Sequence, residues 1–103
     1  MLFFICNIAD LDKSDNGSVT IYHEEIKDEI IVFKTSCSEI KVFSNVCPHM
    51  AGNLILSNSK KLLVCAWHGL QFNYAGVAIN CKAKLRLLEY KPVIENNKIY
   101  ILI

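Results

Sequence analysis

The sequence predicts an all-β domain built as an antiparallel β-sandwich. Short apolar runs are separated by Gly, Asn, Asp and Ser, the residues that favour turns. No apolar repeat of 3.6 residues extends over the roughly eleven residues that an amphipathic helix needs. A chain of 103 residues forms one small domain, so we expect a single domain over 1–103.

Nine apolar runs are predicted as strands, joined by polar turns. They are residues 2–8, 19–22, 29–34, 40–43, 62–64, 70–73, 77–79, 87–94 and 98–103. Residues 10–17 contain Asp, Ser, Asn and Gly and predict a polar loop. Residues 35–39 suit a hairpin, and Asn96 with Asn97 suits a two-residue hairpin turn, because Asn tolerates positive φ. A short helical turn is expected within 46–57.

Two short segments carry potential metal ligands. One reads Cys47-Pro48-His49 and the other Cys65-Ala66-Trp67-His68-Gly69, with fifteen residues between His49 and Cys65. Each segment offers one thiolate and one imidazole. Two thiolates and two imidazoles are the ligand set of a 2Fe–2S centre in which two His replace two Cys on one iron.

This pattern resembles the Rieske iron–sulfur family, and most closely its small soluble ferredoxins from oxygenase systems. The likeness extends to Gly69 after the second His, to the aromatic Phe72 three residues beyond it, and to the turn Asn73-Tyr74-Ala75-Gly76. It implies a Rieske-type β-sandwich with a small cluster-binding subdomain at about 46–73. It also implies one 2Fe–2S cluster, with Cys47 and Cys65 on one iron and His49 and His68 on the other.

The resemblance implies a single-electron carrier and not an enzyme. Such a protein accepts an electron from a flavin or iron–sulfur reductase and passes it to a terminal oxygenase by transient docking. One alternative is a small Rieske subunit of a permanent oxidoreductase complex. Another is a structural zinc module, which the single residue between Cys47 and His49 disfavours, because zinc sites usually leave two to four residues between ligands.

Two departures from the high-potential respiratory branch of the family are informative. That branch adds a disulfide between its cluster loops, whereas this chain has Gly52 and Trp67 at the corresponding positions. It also places Ser and Tyr hydroxyls where this chain has Leu70 and Phe72. A hydroxyl that donates to the cluster stabilises the extra electron, so its absence predicts a lower potential.

Residues next to the ligands are candidates for docking or for lining the cluster. Met50, Trp67 and Leu70 are expected to form an apolar docking tip with the edges of the His rings, although Trp67 suits a core position equally well. Gly69 and Gly52 allow the backbone to approach the cluster closely, or serve as ordinary turn glycines. Residues 80–86 lack the Pro of many relatives and carry basic residues, which indicate a solvated face or a surface that steers an acidic partner.

Charge and composition exclude several partners. The formal net charge is +1, from eleven basic and ten acidic residues, which gives no indication of nucleic-acid or membrane binding. No apolar span reaches the roughly 20 residues of a membrane helix, and the apolar start is too short for a signal peptide.

The remaining Cys and His residues predict no second metal site. An odd remainder of three, Cys6, Cys37 and Cys81, suits a reducing compartment, so we expect a cytoplasmic protein. Cys6 is expected in the core, Cys37 on the surface, and Cys81 near the cluster loops. His23, beside two glutamates, is expected to be solvated.

Overall fold

The computed structural model describes residues 1–14, 17–35, 37–46, 53–57, 61–66, 69–81 and 85–103. Strands make up most of this part of the chain, which also contains one short helix. In chain order the elements are β1 (Leu2–Asn7), α1 (Ile8–Lys13), β2 (Ser18–His23), β3 (Asp28–Lys34), β4 (Ile40–Ser44), β5 (Leu54–Ser57), β6 (Leu62–Cys65), β7 (Gln71–Phe72), β8 (Glu89–Glu95) and β9 (Lys98–Leu102).

The strands form two antiparallel sheets, which confirms the predicted fold class. The larger sheet has the order β1-β9-β8-β4-β3-β2, and the smaller has the order β5-β6-β7. The predicted strand 77–79 is reduced to isolated bridges, which pair Ala78 with Phe72 and Val77 with Arg86. Among the described residues, no helix has the length and hydropathy needed to cross a bilayer.

Strand β3 is buried on both of its faces. Side chains alternate along a strand, so Ile30 and Val32 point into one apolar cluster, and Ile31 and Phe33 point into the other. All four are at most 1% exposed. The first cluster lies between β3, β4, β9, β1 and α1, and the second between β3, β4 and the small sheet. This double burial explains why β3 reads as an uninterrupted apolar run and not as an alternating one.

The prediction of a loop over residues 10–17 is wrong at its start, because helix α1 covers Ile8–Lys13. The carboxylate of Asp10 accepts the main-chain N–H of Asn7 at 2.9 Å, which satisfies a donor at the helix start. Leu11 is 1% exposed and packs into the first cluster. The helix has six residues, too few for the apolar period to show in the sequence.

The last four residues of the range 46–57, in which a short helical turn was expected, form strand β5, which was not predicted from the sequence. Leu54 and Leu56 are each 5% exposed, and Ile55 between them is 55% exposed. This alternation is that of a strand with one face on the core. Residues 47–52 lie outside the described residues.

Both predicted hairpin turns are confirmed. Asn96 and Asn97 have φ values of 51° and 63°, the left-handed values that a tight hairpin between β8 and β9 requires. Between β3 and β4, the N–H of Thr35 donates to the carbonyl of Glu39 at 2.8 Å.

Gly76 occupies a turn that packs tightly against the core. Its φ is +82°, and a Cβ added there would lie 2.8 Å from Cε1 of Phe43, which is fully buried. Gly69 also has a positive φ, +66°, but no described atom lies within 4 Å of its added Cβ. The two glycines therefore separate backbone strain alone from strain combined with a steric clash.

We expect Gly76→Ala to lower the free energy of unfolding by about 1–3 kcal/mol, because it adds a left-handed alanine and displaces Phe43. Gly69→Ala is the matched control and should lose clearly less. Urea unfolding of both variants measures the difference. Equal losses in the two variants would show that the clash of the added methyl group with Phe43 does not destabilise the protein.

Candidate metal centre

The two segments that carry the predicted ligands are attached at the same end of the small sheet. We call residues 46–53, between β4 and β5, the first connection, and residues 66–70, between β6 and β7, the second connection. Leu54 pairs with Cys65 in the register of β5 and β6. Directly beyond this pair, the N–H of Ala66 donates to the carbonyl of Asn53 at 2.8 Å. The end of the first connection therefore contacts the start of the second.

Cys65 is the one predicted ligand that the structure describes; Cys47, His49 and His68 lie outside the described residues. Cys65 is 1% exposed and belongs to the cluster between the two sheets. Its main-chain N–H donates to the carbonyl of Leu70 at 2.8 Å, which closes the second connection at its base. Its thiol therefore lies in a setting with little access to water.

Asn45 fixes the base of the first connection from inside the protein. It is 3% exposed, and its Oδ1 accepts the N–H of Leu54 at 2.9 Å. Its Nδ2 donates to Oε1 of Glu29 at 2.7 Å, and its main-chain N–H donates to the carbonyl of Glu29 at 2.8 Å. Leaving a buried amide of this kind without partners costs about 1–3 kcal/mol.

Asn80 holds the second connection from the surface. Its Oδ1 accepts the N–H of Gln71 at 2.8 Å, and its Nδ2 donates to the carbonyl of Gly69 at 3.2 Å. The backbone reaches this position because the N–H of Ile79 donates to the carbonyl of Gln71 at 2.9 Å. Sequence reasoning missed Asn45, Glu29 and Asn80, because an Asn or Glu at the end of a strand carries no mark of its tertiary partner.

A carboxylate network braces the strands that lead to the first connection. Asp28 accepts hydrogen bonds from the hydroxyl of Tyr90 at 2.7 Å and from that of Ser44 at 3.1 Å. Burial raises the pKa of Tyr90 to about 12, and the hydrogen bond and charge of Asp28 add to the effect. Tyr90 is therefore a neutral donor at physiological pH.

An open cleft lies beside this network. It is lined by Tyr22, Lys27, Asp28, Glu29, Asn45, Val46 and Asn53. Four of these lining residues make the hydrogen bonds described above: Asp28, Glu29, Asn45 and Asn53. The cleft is therefore the solvent-facing side of this hydrogen-bond network.

The residues proposed to surround the ligands fall into two groups. Leu70 and Phe72 are 8% and 0% exposed and pack with Cys65. Leu70 was predicted either to contact a docking partner or to line the cluster. Because it is buried, it offers a partner little surface, and lining the cluster stays as its predicted role. Gly69 needs its positive φ rather than extra space among the described residues. Met50, Trp67 and Gly52 lie outside the described residues.

Cys6, Cys37 and His23 belong to other parts of the fold, whereas Cys81 directly follows Asn80 in the sequence. Cys6 is buried as predicted, and burial, followed by the charge of Asp10, raises the pKa of its thiol to about 11. Cys37 and Cys81 are exposed. His23 is half-buried in β2, so the expectation of a solvated side chain is only partly met. Its Nδ1 is buried with no hydrogen-bond partner among the described residues, and its ring lies edge-on to that of Phe3, with 5.6 Å between the ring centroids. The described residues contain no group of three or more potential metal ligands.

Residues 1–91 match the family model of the Rieske [2Fe-2S] domain. The chain belongs to the Rieske family. This membership implies a Rieske-type 2Fe–2S cluster. The donor set fits that cluster, because the sequence supplies two thiols and two imidazoles and the pairing of Leu54 with Cys65 attaches both ligand segments at one end of a sheet.

Solved structures of Rieske proteins share the fold. The cyanobacterial plasma membrane Rieske protein PetC3 from Synechocystis PCC 6803 superposes with a TM-score of 0.80 at 19% identity, over 98% of this chain and 99% of that one. The Sphingomonas yanoikuyae B1 ferredoxin gives 0.77 at 23% identity, over 98% and 97%. The ferredoxin of carbazole 1,9a-dioxygenase from Nocardioides aromaticivorans IC177 gives 0.79 at 15% identity, over 98% and 96%. No curated protein matches the chain closely enough to count as a relative.

Proposed function

We propose that this Rieske protein is a single-electron carrier that receives electrons from a flavin or iron–sulfur reductase and delivers them to a terminal oxygenase. The observation that carries the proposal is the shared attachment of the two ligand segments, beyond the pair Leu54 and Cys65. The likeness to ferredoxins, one of them from a dioxygenase system, supports the choice of partners. Docking is transient, and neither nucleic acid nor a membrane is a partner.

The chain's own residues contribute binding and shielding. The chemistry that the cluster supplies when bound is reversible one-electron reduction. Cys47 and Cys65 would bind one iron, and His49 and His68 the other. The apolar packing around Cys65 excludes water from the thiolate side, and the two sheets hold the ligand segments in place, so little has to rearrange when the charge changes. Transformation of a substrate is left to the partner enzyme.

The proposed location is the cytoplasm. Cys37 and Cys81 are exposed thiols, and a reducing compartment keeps such thiols from forming disulfides between molecules.

A permanent oxidoreductase complex, with this chain as its small subunit, is a second candidate function. An apolar strip on the outer face of β1 and β9 favours it. Leu2 and Leu102 pair across the strands and are 43% and 42% exposed. Phe4 is 47% exposed, and its ring centroid lies 5.7 Å from that of Tyr100. Contiguous exposed apolar surface often marks an interface. Stable co-purification with a larger subunit would favour the permanent complex. A monomer that binds and releases its partners freely would favour the electron carrier.

The first test is the visible spectrum of the purified protein and the electron paramagnetic resonance spectrum after dithionite reduction. We expect a brown protein whose reduced signal has an average g of about 1.9, because imidazole ligands lower the average g further below the free-electron value than four thiolates do. A colourless protein that contains zinc would contradict the proposal and leave the zinc module.

Cys47→Ser should abolish or severely reduce the cluster content, because a serine oxygen is a poor replacement for a thiolate ligand. Cys37→Ser is the matched control, since Cys37 is exposed and should retain full iron and sulfide content. Iron and labile sulfide per chain measure both. Normal cluster content in Cys47→Ser would refute the ligand assignment.

We expect a midpoint potential in the lower half of the range of roughly −150 to +300 mV that Rieske centres cover, because Leu70 and Phe72 have no hydroxyl to donate. Potentiometric titration measures it. Phe72→Tyr should raise the potential if its hydroxyl reaches the cluster. A wild-type midpoint above about +150 mV, well inside the upper half of that range, would contradict the prediction.

A further inference from the structure

Each of the two connections is tied to the protein by the side chain of one asparagine. At the first connection the amide of Asn45 accepts from the main chain at Leu54 and donates to Glu29. At the second, the amide of Asn80 accepts from Gln71 and donates to the carbonyl of Gly69. In both cases the amide uses its oxygen and its nitrogen at the same time, so its plane is fixed from two sides.

The partners of these amides stand at the boundaries of the connections. Leu54 is the first residue after the first connection and pairs with Cys65, a proposed ligand. Gly69 and Gln71 lie near the end of the second connection, where Gly69 follows His68 in the sequence. A displacement of either amide would therefore move the backbone next to a proposed ligand.

We propose that Asn45 and Asn80 are positioning residues of the metal centre, and that Glu29 orients Asn45. Asn45 links the end of the first connection to Glu29 of the large sheet. Asn80 links the second connection to the segment that follows β7. Together they hold the described end of each connection, at Leu54 and at Gly69, in place. The inference rests on the proposed ligand set, and partners of this kind commonly govern metal affinity and the properties of the bound metal.

Asn73, the residue after β7, provides a matched comparison. Its Oδ1 accepts the N–H groups of Ala75 and Val77, each at 3.0 Å, so within the described part of the chain it makes as many side-chain hydrogen bonds as Asn80. It lies beyond Phe72, at the end of the small sheet opposite Cys65. Asn73→Ala therefore weakens the fold of the subdomain without touching a ligand segment.

The hydrogen bond between Asn45 and Glu29 allows an exchange of partners. Asn45→Asp keeps the oxygen that accepts from Leu54 but places a second carboxylate against Glu29. Adding Glu29→Gln supplies an amide that donates to the new carboxylate, so the bond is restored in reverse with the net charge unchanged. A positioning role predicts failure of the single variant and rescue by the double variant.

The experiment measures cluster loss to a chelator, the reduced electron paramagnetic resonance spectrum and the midpoint potential for each holoprotein. Asn45→Asp should lose its cluster about 10-fold faster or more, and the double variant should recover most of the wild-type rate. Asn80→Ala should shift the g values and the potential. Asn73→Ala should lower thermal stability but leave the spectrum and the potential at their wild-type values.

Amide hydrogen exchange of the oxidised holoprotein, followed by mass spectrometry, gives an independent readout. Asn45→Asp should speed exchange at Leu54, and Asn80→Ala at Gln71, with each effect confined to its own connection. If Asn45→Asp does not fold, Asn80→Ala and the double variant decide the question.

The inference is overturned if Asn80→Ala resembles Asn73→Ala in spectrum and potential, or if the double variant loses its cluster as fast as Asn45→Asp. A wild-type protein without any cluster would instead refute the proposed function, and this inference with it. If the wild-type protein holds its cluster, and substitution of each of the three asparagines leaves the spectrum, the potential and the rate of cluster loss unchanged, only the inference is refuted.

Discussion

The pairing of Leu54 with Cys65 is the constraint on which the metal centre depends. It brings together the first and second connections, which are separated in the sequence, so that both are attached at the same end of the small sheet. A slip of one residue in this register would turn the side chain of Cys65 to the opposite face of the small sheet, away from the buried cluster that it now shares with Leu54. The apolar side chains at this face specify the register, so the core selects the position of the thiol.

Asymmetric burial then separates the two sides of the site. Cys65 lies in the core, while Asn80 and Gly69 are at the surface. The thiol of Cys65, a proposed ligand, is thus screened from water, whereas Gly69 in the second connection borders solvent. Burial of one side keeps the local dielectric low there, which is one of the means by which a protein adjusts the potential of an iron–sulfur centre.

Residue types and spacing in the sequence were enough to propose Cys47, His49, Cys65 and His68 as ligands. That assignment stays a prediction, because only Cys65 is among the described residues. The hairpin at Asn96 and Asn97 was predictable because its requirement is local. Strand β5 and helix α1 were missed because four and six residues are too short for a period to stand out, and Leu11 and Leu54 take their places only through tertiary burial. The partners of Asn45 and Asn80 were hidden for the same reason.

The burial of β3 on both faces has a consequence for unfolding. Ile31 and Phe33 form part of the floor under the small sheet, and Ile30 and Val32 belong to the other cluster of the same strand. Detaching the small sheet would expose Phe33 to water and uncover one face of β3, whose other face packs in the core of the large sheet. The subdomain and the main sheet are therefore expected to lose structure together, in one cooperative transition, and the metal centre has the stability of the whole domain rather than that of its own few strands.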